Sequence, residues 1–480
     1  MTSLDKIEPA PDAVGNPGNH LALELAETLK LAVPIALTQL GQIAMMTTDL
    51  ALIGRLGNEA VAAAALAHTV YFISFTFGMG LMSAVAPLAA QAFGARNPRL
   101  VRRSLRVGLW AALLISLPMM AFPLFGEQIL LMLGQAPATA RLAQRYLFGL
   151  AWGITPALWF LAIRGFMGAV NRPEPGLWIT LAAIPANAVL AYLLIHGGLG
   201  LPRLELFGAG LATTTINFGM FLAGLWFAYG RRPFRKYHVL GRIWRVDWIL
   251  MRQLIVIGAP IAISFLLEYG LFAAAALLMG LISTTALAAH QIALQIAAIL
   301  FMVPFGIGIA ATVRVGHAVG RGDAPAVKRA GFVATGLGIV FMSAMTLAVT
   351  LGRFAIARFF FGKAVESAGA VIELIATLLT VGATFFVADG IQTVAAGALR
   401  GMNDTRLPLL FAAISYWVIG FSAACGLAFG GGLGAVGVWI GLSCGTAVYA
   451  ALLVMRFRWL ANRREFAAEA FRLGSGKSLI

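Results

Sequence analysis

The sequence predicts an all-α integral membrane protein, with twelve transmembrane helices in two pseudo-symmetric six-helix bundles around a central cavity. Three observations carry this expectation. Of 480 residues, 60% are hydrophobic and only 11% charged, whereas a soluble globular chain is nearer ~25% charged. Windows of about 20 apolar residues, the length that crosses a hydrocarbon core of ~30 Å, recur along nearly the whole chain. The second half of the chain also repeats the first in register.

Residues 1–27 are polar and rich in Pro and acidic side chains, without the basic start and short apolar core of a signal peptide, and read as a mobile N-terminal tail. Polar and Gly/Pro breaks then divide the apolar runs into spans at about 29–54, 60–93, 101–125, 138–168, 176–198 and 208–229, which make the N-terminal half, 28–229. Residues 230–247, with Arg231, Arg232, Arg235, Lys236, Arg242 and Arg245, form a basic linker. Spans at about 248–281, 284–315, 328–351, 366–399, 408–430 and 434–456 follow in the C-terminal half, 248–458, and 459–480 reads as a tail. The odd-numbered loops hold Arg55, Arg141, Arg145, Arg203, Arg353, Arg358 and Lys363, and nearly all the other Lys and Arg lie in even-numbered loops and at the ends. The positive-inside rule therefore places the linker and both termini in the cytoplasm of a multi-pass inner-membrane protein.

Sliding the chain on itself by 226 residues superposes Pro34 on Pro260, Gly54 on Gly280 and Ala60 on Ala286. The register survives into a polar loop, where Gln91 to Pro98 faces His317 to Ala324 and Val101-Arg102-Arg103 faces Val327-Lys328-Arg329. A second anchor matches Gly165 to Asn171 with Gly397 to Asn403. Because each half has six spans, the repeat is parallel, its axis lies along the membrane normal, and a site is expected between the halves.

The formal charge of +16 is spread over short loops with no basic groove interleaved with aromatics. That disfavours nucleic acid and favours membrane lipids as partners. Cys425 and Cys444 read as buried thiols, neither a disulfide nor a metal pair.

Among 19 acidic residues, only Asp49, Glu268 and Asp389 fall well inside spans, with Glu373 at the margin of span ten. A carboxylate in hydrocarbon must be protonated, paired or facing water. No Lys or Arg is placed mid-span to pair with these acids, which favours a bound cation or proton. Gln39, Gln42 and Asp49 give span one a polar stripe, and such a stripe must point at protein or water. His68 and His290 lack metal-ligand spacing, and no metal is expected beyond a transported ion; His290 with Gln291 is the better candidate for a cavity role. Phe72, Phe75, Phe77, Met79 and Met82, with Phe265, Phe272, Phe301, Met302 and Phe305 in the equivalent spans, suit a cavity for flat organic cations.

Several motifs together resemble the multidrug and toxic compound extrusion (MATE) family, in particular its NorM-like bacterial branch. They are Pro34, Gln39, Asp49 and Gly54; Gln91-Ala92-Phe93-Gly94-Ala95; Glu268 through Ala288-Ala289-His290-Gln291 to Pro304-Phe305-Gly306; and Gly397 to Gly401 followed by Asp404-Thr405-Arg406. The resemblance covers about residues 28–458. It implies a cation-coupled antiporter, using Na+ or H+, that exports amphipathic organic cations and drugs; alternating access, action as a monomer and no cofactor are expected with it. It assigns the coupling ion to Glu268, Asp389, Asp49 and Asn187. The substrate cavity is expected at Gln39, Gln42, Phe72, Met79, Phe265, His290, Gln291 and Phe385. Two departures stand out. Ala191 occupies a position one turn after Asn187 where relatives carry a second polar residue, and Phe385 lacks the hydroxyl some relatives place one turn before Asp389.

Two other readings fit less well. A lipid-linked oligosaccharide flippase should present basic residues in its cavity, and the mid-span charges here are acidic. An integral membrane enzyme would need a nucleophile, base or metal cluster at one membrane depth, and no such constellation appears.

Overall fold

A computed structural model describes residues 17–361 and 369–463, and all its regular elements are helical. Lipid enforces this, because a helix satisfies its backbone polar groups within one segment. The first half contains α1 (Pro17–Gly54), α2 (Asn58–Gly94), α3 (Pro98–Leu124), the bent α4 (Pro137–Ala151 and Ile154–Ala169, 45°), α5 (Glu174–His196) and α6 (Glu205–Gly230). The second contains α7 (Trp248–Ile282), α8 (Thr284–Arg321), α9 (Ala324–Leu351), the bent α10 (Gly369–Val381 and Ala383–Gly401, 47°), α11 (Arg406–Gly430) and α12 (Gly434–Asn462). The expected start of span ten at 366, and Lys363, lie outside the described residues.

Among the described residues nine helices are long and apolar enough to cross a membrane, and eleven if each bent pair is one span. The twelfth, α1, is 38 residues long but is interrupted by Gln39, Gln42 and Asp49. Two of these three are buried against protein, so its polarity reflects an inward-facing stripe.

The repeat extends to backbone conformation. Asn97 and its counterpart Asp323 each cap the next helix, accepting from Leu100 N at 3.1 Å and Ala326 N at 3.0 Å. The residues before them, Arg96 and Gly322, are both left-handed (φ 54° and 71°), as are the matched Asn171 and Asn403 (61° and 59°). Gly and Asn occupy that region most readily. In α12, Gly437, Gly441 and Gly445 fall one turn apart and let α11 approach backbone to backbone, the small-residue packing by which membrane helices associate.

On the face carrying the turns after α2, α4, α8 and α10, the halves are clasped by contacts that occur in matched pairs. Gly80 of α2 lies on the backbone of Ala262 in α7, and its counterpart Gly306 of α8 lies on Ala36 in α1. Nearer the rim, Gly94 meets the His317 carbonyl and Gly320 meets the Gln91 carbonyl. Gln91 Nε2 donates to the Gly401 carbonyl (2.9 Å) and His317 Nε2 to the Ala169 carbonyl (2.6 Å). Donors and acceptors are both repeat counterparts. Toward the opposite face, the rings of Phe72 and Tyr269 meet at 5.2 Å, about midway along α2 and α7. At that level the Tyr269 side chain also hydrogen-bonds Thr69 of α2.

The clasp redistributes the cores. Leu31, Ala32 and Ile35 of α1 belong to the apolar core of the second half, while Leu250, Met251, Leu254, Ile257, Ile261 and Ala262 of α7 belong to that of the first. Each half's first helix thus begins inside its neighbour. The linker is held to the first half as well: Trp110 Nε1 donates to the Ile243 carbonyl (2.6 Å), and buried Phe234 and Tyr237 pack on Phe166.

Three expectations are corrected. Residues 17–27 of the expected mobile tail are helical, and Glu24 forms a two-point ion pair with half-buried Arg314 of α8, both bonds 2.8 Å; sequence polarity could not reveal a cationic partner so distant in the chain. In the other tail, α12 runs on to Asn462. Cys425 is half-buried and Cys444 exposed, because an apolar run marks lipid-facing positions as readily as core ones.

Candidate functional site

In the second half, α7 and α10 bring two carboxylates onto one amide. Gln392 Nε2 donates to Glu268 Oε1 (3.0 Å) and to Asp389 Oδ1 (2.8 Å), while Gln392 Oε1 accepts from Tyr416 Oη (2.6 Å). Asp389 and Gln392 stand three residues apart, so helical geometry puts them on one face of α10. Tyr416 arrives from α11 within a segment, Ala413–Phe421, wound with wider i→i+5 turns. Such turns are rare in helices and occur often at functional sites. Asp389 is buried and Glu268 half-buried, at the wall of a pocket that Phe265, Phe301, Phe305 and Tyr449 also line.

Arg400 enters the same pocket, its guanidinium 4.9 Å from the centre of the Phe265 ring. This overturns the expectation that no basic residue reaches the intramembrane acids. Arg400 is the penultimate residue of α10, but helical side chains lean toward the N-terminus of their helix, so this one reaches back into the span. Arg164 behaves alike in α4, donating through Nη2 to Gln39 Oε1 (2.5 Å). With both carboxylates ionised, Glu268, Asp389 and Arg400 sum to one net negative charge.

The first half has a simpler site. Asp49 Oδ1 accepts from Asn187 Nδ2 of α5 (2.5 Å) and Oδ2 from Thr213 Oγ1 of α6 (3.1 Å). Asn187 is fully buried, and its Oδ1 has no partner among the described residues. Ala191 lies in the surrounding apolar cluster, so Thr213 supplies a second polar contact that α5 does not.

The cavity candidates divide. Phe72 and Phe265 stand on α2 and α7, where the halves face one another. Half-buried Met79 lies beside the Gly80 crossing, and half-buried Gln42 makes no hydrogen bond among the described residues. His290 and Phe385 are packed in the second-half core: His290 Nδ1 accepts from Trp439 Nε1 (3.1 Å), and Phe385 sits among Phe272, Phe386 and Trp439. Both side chains are buried there. These helices are apolar on several faces, so periodicity alone does not separate core from cavity. Gln291 and Glu373 are exposed.

Gln392, Tyr416 and Thr213 were not singled out from the sequence; the signal available was Gln392 three residues after a mid-span acid. Gln392→Leu leaves both carboxylates and the Tyr416 hydroxyl short of a partner. It should destabilise the detergent-solubilised protein by about 2 kcal/mol. An unchanged thermal midpoint would mean the amide does not organise the site.

The family model described as MatE matches residues 34–193 and 260–425, two blocks that open on the superposed Pro34 and Pro260. The chain is 68% identical over 464 residues to a probable multidrug resistance protein NorM of Bradyrhizobium diazoefficiens, spanning 96% of this chain and 99% of that one. It is 62% identical over 447 residues to a protein of the same name from Rhodopseudomonas palustris, spanning 93% and 94%. The crystal structure of the eukaryotic MATE transporter AtDTX14 matches with a TM-score of 0.83 at 21% identity, over 95% of this chain and 99% of that chain. At that identity the likeness shows the fold.

Proposed function

We propose, from the premise that this chain belongs to the MatE family and is a multi-pass membrane transporter rather than an enzyme, that it exports amphipathic organic cations and drugs in exchange for a coupling ion. The observation that carries this reading is the Glu268–Gln392–Asp389 unit. Two carboxylates in a membrane-spanning bundle share one neutral donor, with one guanidinium nearby. One monovalent cation brings that group to neutrality, so occupancy changes its charge and its cost in a low-dielectric interior.

The coupling ion we assign is H+. The Gln392 NH2 group lies between the two carboxylates and presents hydrogens where a metal ion would need oxygen. Na+ requires the amide to turn and offer Oε1, with Tyr416 Oη then accepting from Nε2 instead of donating to Oε1. In the first half, Asp49 is a second proton-binding or drug-attracting carboxylate, supported by Asn187 and Thr213.

The clasped face is the cytoplasmic one by the positive-inside rule, so this arrangement is the outward-facing state of an alternating-access cycle. Coupling requires ion and drug to bind the two states unequally. Here protonation at the second-half site and drug binding along Phe72, Met79 and Phe265 would favour different states. Localisation in the inner membrane with both termini cytoplasmic, and action as a monomer, complete the proposal.

The test is efflux of a fluorescent cation from proteoliposomes under a pH gradient alone or a Na+ gradient alone. Export driven by the pH gradient is expected. Export driven only by Na+ replaces the proton with the metal ion, and export under neither gradient ends the antiporter reading. A lipid-linked flippase, the second reading, draws support from Arg164 and Arg400, and flipping of a labelled lipid without export of the dye would favour it.

A further inference from the structure

The first turns of α3 carry Arg99, Arg102, Arg103 and Arg106, with no acid in the first turn, at a helix end where the backbone dipole already disfavours cations. The linker adds Arg242 and Arg245. Arg106 Nη1 donates to the Arg242 carbonyl (3.3 Å), and the guanidinium of Arg102 lies against Gly241. The charges of Arg102, Arg103 and Arg245 all act on Arg106, and among the described residues Asp247 is the acid that opposes them. That carboxylate is already engaged, by Arg103 Nε at 2.6 Å and by the Leu250 amide at 3.2 Å. Arg106 is only 7% exposed, and its Nε, like that of Arg102, has no partner among the described residues. A buried guanidinium N–H left without an acceptor carries its full desolvation cost.

We propose that α3 and the linker form a binding site for the phosphate of an anionic phospholipid in the leaflet at the clasped face. The arginines supply bidentate donors of the kind phosphate takes. Trp244, Trp248 and Ile249, respectively 73%, 67% and 83% exposed, flank them on the linker and the first turn of α7. Exposed indole and aliphatic surface beside cations suits a lipid at the membrane boundary, whereas a free phosphate would use none of it. The counterpart turn in the second half carries Lys328 and Arg329, and Lys328 is engaged with Asn462 Oδ1 at 3.1 Å. A bound lipid would fasten the linker to the first half at the point where α7 enters that half's core.

The test is native mass spectrometry of the full chain in detergent with equal phosphatidylglycerol and phosphatidylcholine. Wild type should retain phosphatidylglycerol preferentially. At roughly fivefold per guanidinium, Arg242→Gln/Arg245→Gln, both exposed, should weaken that preference by about 30-fold. Arg106→Gln should weaken it too, and Arg55→Gln, on the opposite rim, should leave it unchanged. Equal preference in wild type and the double variant overturns the site. So does an equal loss in Arg55→Gln, or displacement of the lipid by inorganic phosphate at a similar concentration, which would make it a free-anion site.

Discussion

Asp389→Asn should lower gradient-driven export by ~10²-fold, the upper range of a coupling free energy between two sites, with little effect on folding. Asn keeps the size of Asp and an oxygen for the Gln392 amide, which sits 2.8 Å from Asp389 Oδ1 in the native site. It cannot take up a proton or carry charge. The site with Glu268 and Arg400 then begins neutral, so there is no charge for an ion to compensate and no free-energy difference for it to convert. Glu268→Gln should behave alike. The measurement is dye efflux from proteoliposomes, paired with dye binding to purified protein, since binding should survive where export does not. Asp49→Asn should lose less, because Asp49 is separately held by Asn187 and Thr213. Export at wild-type rate in both second-half variants would remove these carboxylates from the coupling step.

Gly320→Val should be nearly as damaging by a different route. A Cβ at Gly320 falls on the Gln91 carbonyl and 2.9 Å from Ala95 N, both backbone atoms that cannot swing aside. Overpacking of this kind costs about 1–3 kcal/mol, and a cost near 2 kcal/mol shifts a two-state equilibrium by roughly 30-fold. Export should fall, and the clasped face should become accessible. An impermeant maleimide would report this at Ala90→Cys, a position with no exposed surface, in a background lacking Cys425 and Cys444. It should label the Gly320→Val protein and spare its parent. Gly94→Val should reproduce the result, because Gly94 meets the His317 carbonyl as Gly320 meets that of Gln91. Protection and export unchanged in both variants would show that the clasp tolerates a wedge.

The twelve-helix architecture and its duplication were legible because lipid imposes long apolar runs, and because matched polar turns such as those at Asn97 and Asp323 stand out against them. The carboxylates Asp49, Glu268 and Asp389 were legible through rarity. Their partners were not: Gln392, Tyr416 and Thr213 are neutral hydrogen-bonding residues that helices accommodate at modest cost, so nothing in the sequence separates those that touch an acid from the rest. Arg400 was hidden by its place at a helix end, where its direction rather than its position puts it in the pocket. The pairing of Glu24 with Arg314 joins residues 290 apart, beyond the reach of any local pattern. The packing of His290 and Phe385 against Trp439 was not legible, because neighbouring faces of an enclosed helix look alike in one dimension.

The paired contacts of the clasp amount to an isologous interface within one polypeptide. Residues of one half meet in the other the counterparts of their own partners, as two identical subunits do about a dyad. A free six-helix unit with this surface would close on a copy of itself. Fusion through the linker makes the second copy permanent, and each half's charges can then diverge while the surface that joins them remains self-complementary. Asp49, whose counterpart is Ala275, and Glu268, whose counterpart is Gln42, show that divergence within the shared scaffold.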